Sequence, residues 1–228
     1  MTPPLSAWGL TGSPVPLRGG HRNTVLQVGG HILKTTRRSE AALEWLTPVH
    51  DAAQAAGLRV PRLIRGGTGT LSVEGWTCEP YLPGRPADAR RIAVQIQAFH
   101  RACDSLPQRP GFASASDLIT SDYGGDVDLR LMPARVITQI RQAWSAVASQ
   151  PHSVVHADLG PPNIFVDEDG TASVIDWDEA RFDLTLFDLA LAGDSSPEAE
   201  RARLAWEIAC CWQVEPDRAL ALVETIDW

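Results

Sequence analysis

The stretch His156 to Asp176, HADLGPPNIFVDEDGTASVID, constrains this chain more than any other. Ile164, Phe165 and Val166 form a short apolar run. Asp167, Glu168, Asp169 and Gly170 read as a turn, because Asp-Gly tolerates the positive φ that tight hairpins need. Ala172 to Ile175 read as the return strand. The pattern predicts one antiparallel hairpin with Asn163 and Asp176 side by side at its open end. Asp158 lies on the preceding loop, which Val154 and Val155 feed. That loop carries Gly160, Pro161 and Pro162, so it is expected to be stiff and non-helical.

These residue types point to one chemistry. An amide oxygen and a carboxylate at a hairpin end are hard ligands that suit Mg²⁺. A carboxylate on a stiff loop can hold position against an acceptor hydroxyl. Kinases use the spacing H-x-D-L-x-x-x-N, here His156, Asp158, Leu159 and Asn163, to set one carboxylate beside a substrate hydroxyl and oxygen ligands beside Mg²⁺. Asp158 is therefore the expected base, with Asn163 and Asp176 as metal ligands. Acidic residues around an Asp-Gly turn are ordinarily a solvated hairpin, and His156 alone would read as a core histidine. The combined spacing outweighs both readings.

The totals narrow the setting. The chain has 228 residues, 44% of them hydrophobic, enough for one large domain or two lobes around a cleft. Its 20 basic and 28 acidic residues leave a net charge of -8, which argues against nucleic acid or an anionic membrane as a partner and is compatible with a cationic substrate. Cys78, Cys103, Cys210 and Cys211 show no metal-ligand spacing and read as buried thiols. The proline-broken N-terminus lacks a basic segment, and no apolar run reaches the ~18 residues of a membrane span. A cytoplasmic protein is expected.

Along the chain, Leu17 to Lys34 reads as strand, glycine turn, strand, with Gly29-Gly30 at the turn. Ser39 to Leu46 reads as a short helix. Thr47 is the expected N-cap of a second helix ending at Gly57, with Pro48 at its first position. Val60 to Ile64 and Leu71 to Cys78 are expected to complete a small sheet. Beyond Pro83-Gly84 the pattern turns helical: Ile92, Ile96, Phe99 and Cys103 share one face. Pro133 opens a helix with Ile137, Ile140, Trp144 and Val147 on one face, and Ser195 or Ser196 caps another. The eight tryptophans are expected mainly in the core. The reading is α+β, with an antiparallel-sheet N-terminal lobe over residues 1–82 and a mainly helical lobe over 83–228 that carries the hairpin.

A second constellation supports the first. Gly19 and Gly20, followed by His21, Arg22 and Asn23, form a glycine loop whose N–H groups can approach phosphates closely. Lys34 follows the apolar pair Ile32-Leu33, where a kinase places its phosphate-contacting lysine. Its acidic partner is expected on the next helix, where Glu40 and Glu44 lie one turn apart; Glu40 is preferred.

With these residues in view the chain resembles the aminoglycoside phosphotransferase family of small-molecule kinases, which have a bilobal protein-kinase-like fold. LRGGHRNTVLQV, ILK, SEAALEWL, VPRLI, CEPYLPGRP, IQAFHRA, VVHADLGPPNIFV and VIDWDEARFDLTLFDLA carry the likeness. The resemblance implies that Asp158 is the catalytic base and that Asn163 and Asp176 bind Mg²⁺. It implies that Lys34 contacts the nucleotide phosphates and that the backbone from Glu79 to Tyr81 lies along the adenine. Asp183 and Asp188 would hold the catalytic loop in place. Ala157 stands where the family usually has Gly and protein kinases have Arg. Eleven residues separate Asp176 from Asp188, too few for an activation segment, so a small-molecule acceptor is expected. Forty residues follow Asp188, and a reduced acceptor pocket is expected. The expected reaction is transfer of the γ-phosphate of ATP or GTP to a small-molecule hydroxyl. A catalytically silent nucleotide-binding pseudokinase and a metal-dependent hydrolase are the rivals.

Overall fold

The structure, a computed structural model, describes residues 2–17, 23–193 and 195–228. The chain packs into two compact units, Met1–Ala87 with Pro161–Ile175, and Asp88–Gly160 with Asp176–Trp228.

The first unit begins with strands β1 (Val15–Pro16), β2 (Val25–Val28) and β3 (His31–Thr35). Helices α1 (Glu40–Glu44) and α2 (Leu46–Ala55) follow, then β4 (Ser72–Val73), β5 (Trp76–Pro80) and β6 (Arg85–Pro86). Five of these strands form an antiparallel sheet in the order β1-β2-β3-β5-β4. The turn between β2 and β3 uses Gly29 at φ 56. Glu74 and Gly75 join β4 to β5 with φ of 51 and 77, the two positive values of a tight two-residue hairpin. Leu26, Val28, Leu33, Trp76 and Cys78 make the sheet's core face, covered by Leu5, Trp8, Leu10 and Ile64.

Several local expectations change here. Ser39 caps α1, accepting from the Ala42 N–H at 3.2 Å. Thr47, however, is no cap: α2 already starts at Leu46 and Pro48 sits inside its first turn, where a missing N–H leaves no hydrogen bond unmade. Residues 60–64 form no strand, because Pro61 interrupts the run and the Ile64 N–H alone reaches the sheet, at the Cys78 carbonyl, 2.7 Å. Leu71 to Cys78 is a turn-bearing hairpin, not one strand.

The second unit carries α3 (Ala93–Cys103), α4 (Ala115–Leu118), β7 (Tyr123–Gly124), β8 (Val127–Asp128), α5 (Ala134–Val147) and β9 (His152–Val155). The chain then returns to the first unit as β10 (Ile164–Val166) and β11 (Ala172–Val174). It closes in the second with β12 (Arg181–Leu184), α6 (Leu186–Leu189), α7 (Pro197–Cys211) and α8 (Pro216–Thr225).

The return of β10 and β11 has a local cause. β6 pairs with β10, Pro86 opposite Phe165 and Arg85 opposite Val166. Gly84 permits this approach: a Cβ there would lie 2.8 Å from the Phe165 Cβ. Arg59 adds a parallel bridge to β11, donating to the Ala172 carbonyl at 2.8 Å and accepting from the Val174 N–H at 2.9 Å.

In the second unit Val136, Ile140, Ala143, Trp144 and Val147 line the buried face of α5 and meet Ala202, Trp206 and Ala209 of α7. Trp144 and Phe187 each pack 5.8 Å from Trp206. Ser196, not Ser195, caps α7. All four cysteines are buried and free. Burial pushes the Cys78 thiol up to about 11 and the Cys103 thiol up to about 12. Among the described residues no helix is long and apolar enough to cross a membrane.

Candidate active site

The loop bearing Asp158 leaves β9 and is anchored from behind by Asp188. This carboxylate is fully buried on α6. Its Oδ2 accepts from the His156 N–H at 2.9 Å and lies 3.0 Å from the His100 Nε2. Its Oδ1 accepts from the Ala157 N–H at 2.8 Å. Burial pushes the Asp188 carboxyl up, but the hydrogen bond with His100, the attraction of His100 and His156 and the His156 N–H together outweigh it. The group is held below the usual carboxylate range.

Two consecutive donors on one carboxylate bend the chain sharply, and Ala157 takes φ 71. That is a left-handed conformation a Cβ disfavours, which persists because Asp188 holds both flanking amides. The turn brings the Asp158 N–H to the His156 Nδ1 at 3.2 Å. His156 packs edge-on against Trp177 at 4.7 Å, and Leu159 is buried just beyond. The Asp158 side chain lies between these anchored neighbours and is exposed.

Asp176 also sits at a left-handed position, φ 63 and ψ 62. A 3-10 turn, Trp177–Glu179, follows it. Arg109, 1% exposed, fixes this segment: its guanidinium donates to the carbonyls of Trp177, Asp178 and Ala180 at 3.2, 2.9 and 3.0 Å. No sequence signal marks Arg109, since an isolated arginine in a loop reads as solvated. His100 is equally silent within α3. Asp183 does not hold the catalytic loop as expected. Its carboxylate turns to Arg181 Nε at 2.7 Å, the Leu184 N–H at 2.8 Å and the Ala115 N–H at 3.0 Å. Burial pushes the Asp183 carboxyl up against the pull of Arg181.

In the first unit, Asn163 ends a 3-10 turn, Pro161–Asn163, where a non-helical loop was expected. Proline suits the start of such a turn because its nitrogen owes no hydrogen bond there. The Asn163 side chain is buried, and its carbonyl accepts from the Ile175 N–H at 2.9 Å. That bond extends the expected hairpin by one pair beyond Ile164 opposite Val174. Asp176 is the next residue in the chain. The hairpin turn is held by Asp167 Oδ1, which accepts from the N–H groups of Asp169 and Thr171 at 3.1 and 2.9 Å.

Lys34 on β3 stands opposite Thr77, and Glu79 on β5 stands opposite Ile32. Residues two apart share a sheet face, so Lys34 and Glu79 lie on the face away from the Leu33–Cys78 core. Tyr81 follows β5, exposed, its N–H donating to the Gly30 carbonyl at 2.9 Å. Of the two candidate acids, Glu44 is engaged by Arg65 through two bonds of 2.6 and 2.7 Å. Glu40 accepts from the Leu71 and Ser72 N–H groups at 2.6 and 3.4 Å. Asn23 lies just ahead of β2, while Gly19 and Gly20 lie outside the described residues. Among the described residues no group of three or more His, Cys, Asp or Glu is placed to hold a metal ion.

Comparison with known proteins matches this arrangement. A homoserine kinase of Phenylobacterium zucineum (strain HLK1) is 30% identical over 171 residues, covering 66% of this chain and 49% of the relative. The chain thus spans about half the length of that relative. Choline kinase LicA from Streptococcus pneumoniae superposes with a TM-score of 0.60 at 15% identity, covering 98% of this chain and 90% of the other. The amicoumacin kinase hAmiN, solved with AMP-PNP, Ca²⁺ and its antibiotic, also gives 0.60, at 14% identity over 96% of this chain and 72% of the other. The chain therefore shares the protein-kinase-like α+β fold of these enzymes. Residues 14–220 match the sequence model of the phosphotransferase enzyme family (APH), and the chain belongs to that family.

Proposed function

We propose that this protein transfers the γ-phosphate of a nucleoside triphosphate, ATP or GTP, to a hydroxyl of a small molecule. One observation carries the reading: Asp158 presents an exposed carboxylate from a loop whose two preceding amides are clamped by buried Asp188. Phosphoryl transfer asks a protein mainly for positioning and electrostatics. A carboxylate held this way suits orienting an acceptor hydroxyl and taking its proton.

The remaining roles follow the same division. Residues 1–82 bind the nucleotide and residues 83–228 the acceptor. Lys34 and the backbone at Gly19 and Gly20, with Asn23, contact the phosphates. Glu40 orients Lys34, and the Glu79–Tyr81 backbone lies along the base. Asn163 and Asp176 would hold Mg²⁺. Both offer hard oxygen donors, and the bond from Ile175 to Asn163 sets them one residue apart across the hairpin end. Two protein ligands fit an ion whose shell is completed by phosphate oxygens and water. When bound, such an ion offsets negative charge on the phosphates. The relatives' acceptors, homoserine, choline and amicoumacin, set the range of compounds to try.

The test is Mg²⁺-dependent ADP or GDP release against a panel of hydroxyl compounds: amino acids, amino alcohols, aminoglycosides, sugars and nucleosides. One class is expected to stimulate release. Asp158→Asn should lower that rate by ~10²-fold or more and leave nucleotide affinity within about twofold. Full activity in the variant would overturn the assignment of the base. Phosphate release that needs no acceptor would favour a hydrolase.

A further inference from the structure

The second unit contains a pocket of about 180 Å³ lined by Phe112, Asp126, Glu179, Arg181 and Trp206, among others. The space is below the ~300–1,000 Å³ usual for drug-sized ligands, so it matches a compact molecule. Its wall is continuous with the candidate site: Glu179 and Arg181 lie on the segment that follows Asp176 and that Arg109 fixes.

Two donors in this wall are unmatched among the described residues. Arg181 is 1% exposed, yet one of its terminal nitrogens, NH2, has no hydrogen-bond partner. The Nε1–H of buried Trp206 has none either. Buried donors left unpaired are costly, and each calls for an acceptor atom in the pocket. Neither is free to turn elsewhere. The Arg181 guanidinium lies 3.4 Å over the Trp206 ring and 5.2 Å from that of Phe187. Its Nε is bound to Asp183 at 2.7 Å and its NH1 donates to the Glu179 carbonyl at 3.3 Å.

Charge decides what kind of acceptor atom fits. Asp183 already balances Arg181, so the half-buried carboxylates of Asp126 and Glu179 leave the pocket net negative. A simple anion is disfavoured there. A ligand that offers oxygens to Arg181 and Trp206 and an ammonium to Asp126 and Glu179 satisfies the whole wall. We infer that this pocket binds the amino-acid end of a small hydroxylated α-amino acid, its carboxylate on Arg181 and Trp206 and its ammonium against Asp126 and Glu179. The inference deepens the phosphotransfer reading by naming an acceptor class, and it rests on that reading only for the fate of the hydroxyl.

The full chain is titrated calorimetrically, with and without MgAMP-PNP, using L-homoserine, L-serine, N-acetyl-L-homoserine and the carboxylate-free 3-amino-1-propanol. The free amino acids should bind, and loss of either charged group should weaken binding by about tenfold or more. Trp206→Phe keeps the ring under Arg181 and deletes the N–H. It should weaken amino-acid binding by about fivefold and leave the amino alcohol unchanged. Glu179→Gln, on a half-buried side chain, should weaken both. Amino acids that fail to bind, or that bind no better than the amino alcohol, overturn the inference, as does an equal effect of Trp206→Phe on both ligands. ADP release with another acceptor class and no amino-acid binding would overturn this pocket and leave phosphotransfer standing. Amino-acid binding of the expected pattern without ADP release would support the pocket and overturn phosphotransfer.

Discussion

Asp188 keeps its charge in a place where burial alone would neutralise it. Two backbone amides and His100 share its oxygens, so its loss would strand three buried donors at once. Asp188→Asn should therefore cost about 3 kcal/mol or more of unfolding free energy, read from urea denaturation. A cost below about 1 kcal/mol would show that the anchor is dispensable. The pH dependence has a definite sign. A carboxyl held below its unfolded value of ~3.9 stabilises the fold fully above that value and loses its contribution as pH falls through the lower native value. Asp183, pushed up by burial, works in the opposite sense: its contribution is complete below ~3.9 and fades as pH rises through its native value. The clean comparison is thus between the wild type and Asp188→Asn. Their difference in stability should shrink as pH drops from about 5 toward about 2.

Among the elements, β6 is the shortest piece with the largest consequence. Two residues, Arg85 and Pro86, give β10 its second neighbour, and Gly84 makes room for them. Gly84→Ala would drive a methyl against the Phe165 Cβ at 2.8 Å and the Val166 carbonyl at 3.2 Å. Neither is the end of a flexible side chain. The substitution should destabilise by about 1–3 kcal/mol and loosen β10, seen as faster amide exchange at Ile164 to Val166. Unchanged exchange there would mean that the hairpin holds without β6. The hairpin itself was legible from alternating apolar runs and an Asp-Gly turn. β12 was not, because Arg181 and Asp183 read as solvent-facing until the strand pairs with β9 and buries both.

At the scale of the whole molecule, the first unit is discontinuous in sequence. Residues 161–175 supply β10 and β11, to which β6 and the Arg59 backbone bond. A fragment of residues 1–87 should leave those groups unpaired and show no cooperative thermal transition by circular dichroism, whereas the full chain should. A cooperative transition in the fragment would show that the five-stranded sheet suffices alone.

What the sequence determined by itself was local. The spacing around Asp158, the hairpin closed by Asp176, the cap at Ser39 and the buried face of α5 each depend on residues within a few positions of one another. Periodicity and turn chemistry encode such features directly. The tertiary structure alone decided which buried charges meet: Asp188 with His100 and the loop amides, Arg109 with three carbonyls, Arg181 with Asp183 and the Trp206 ring. Most of these partners are far apart in the chain, and a charged residue carries no mark of burial until packing removes its water. Its partners are then the groups that the fold has brought within hydrogen-bond reach, and their positions depend on the whole chain.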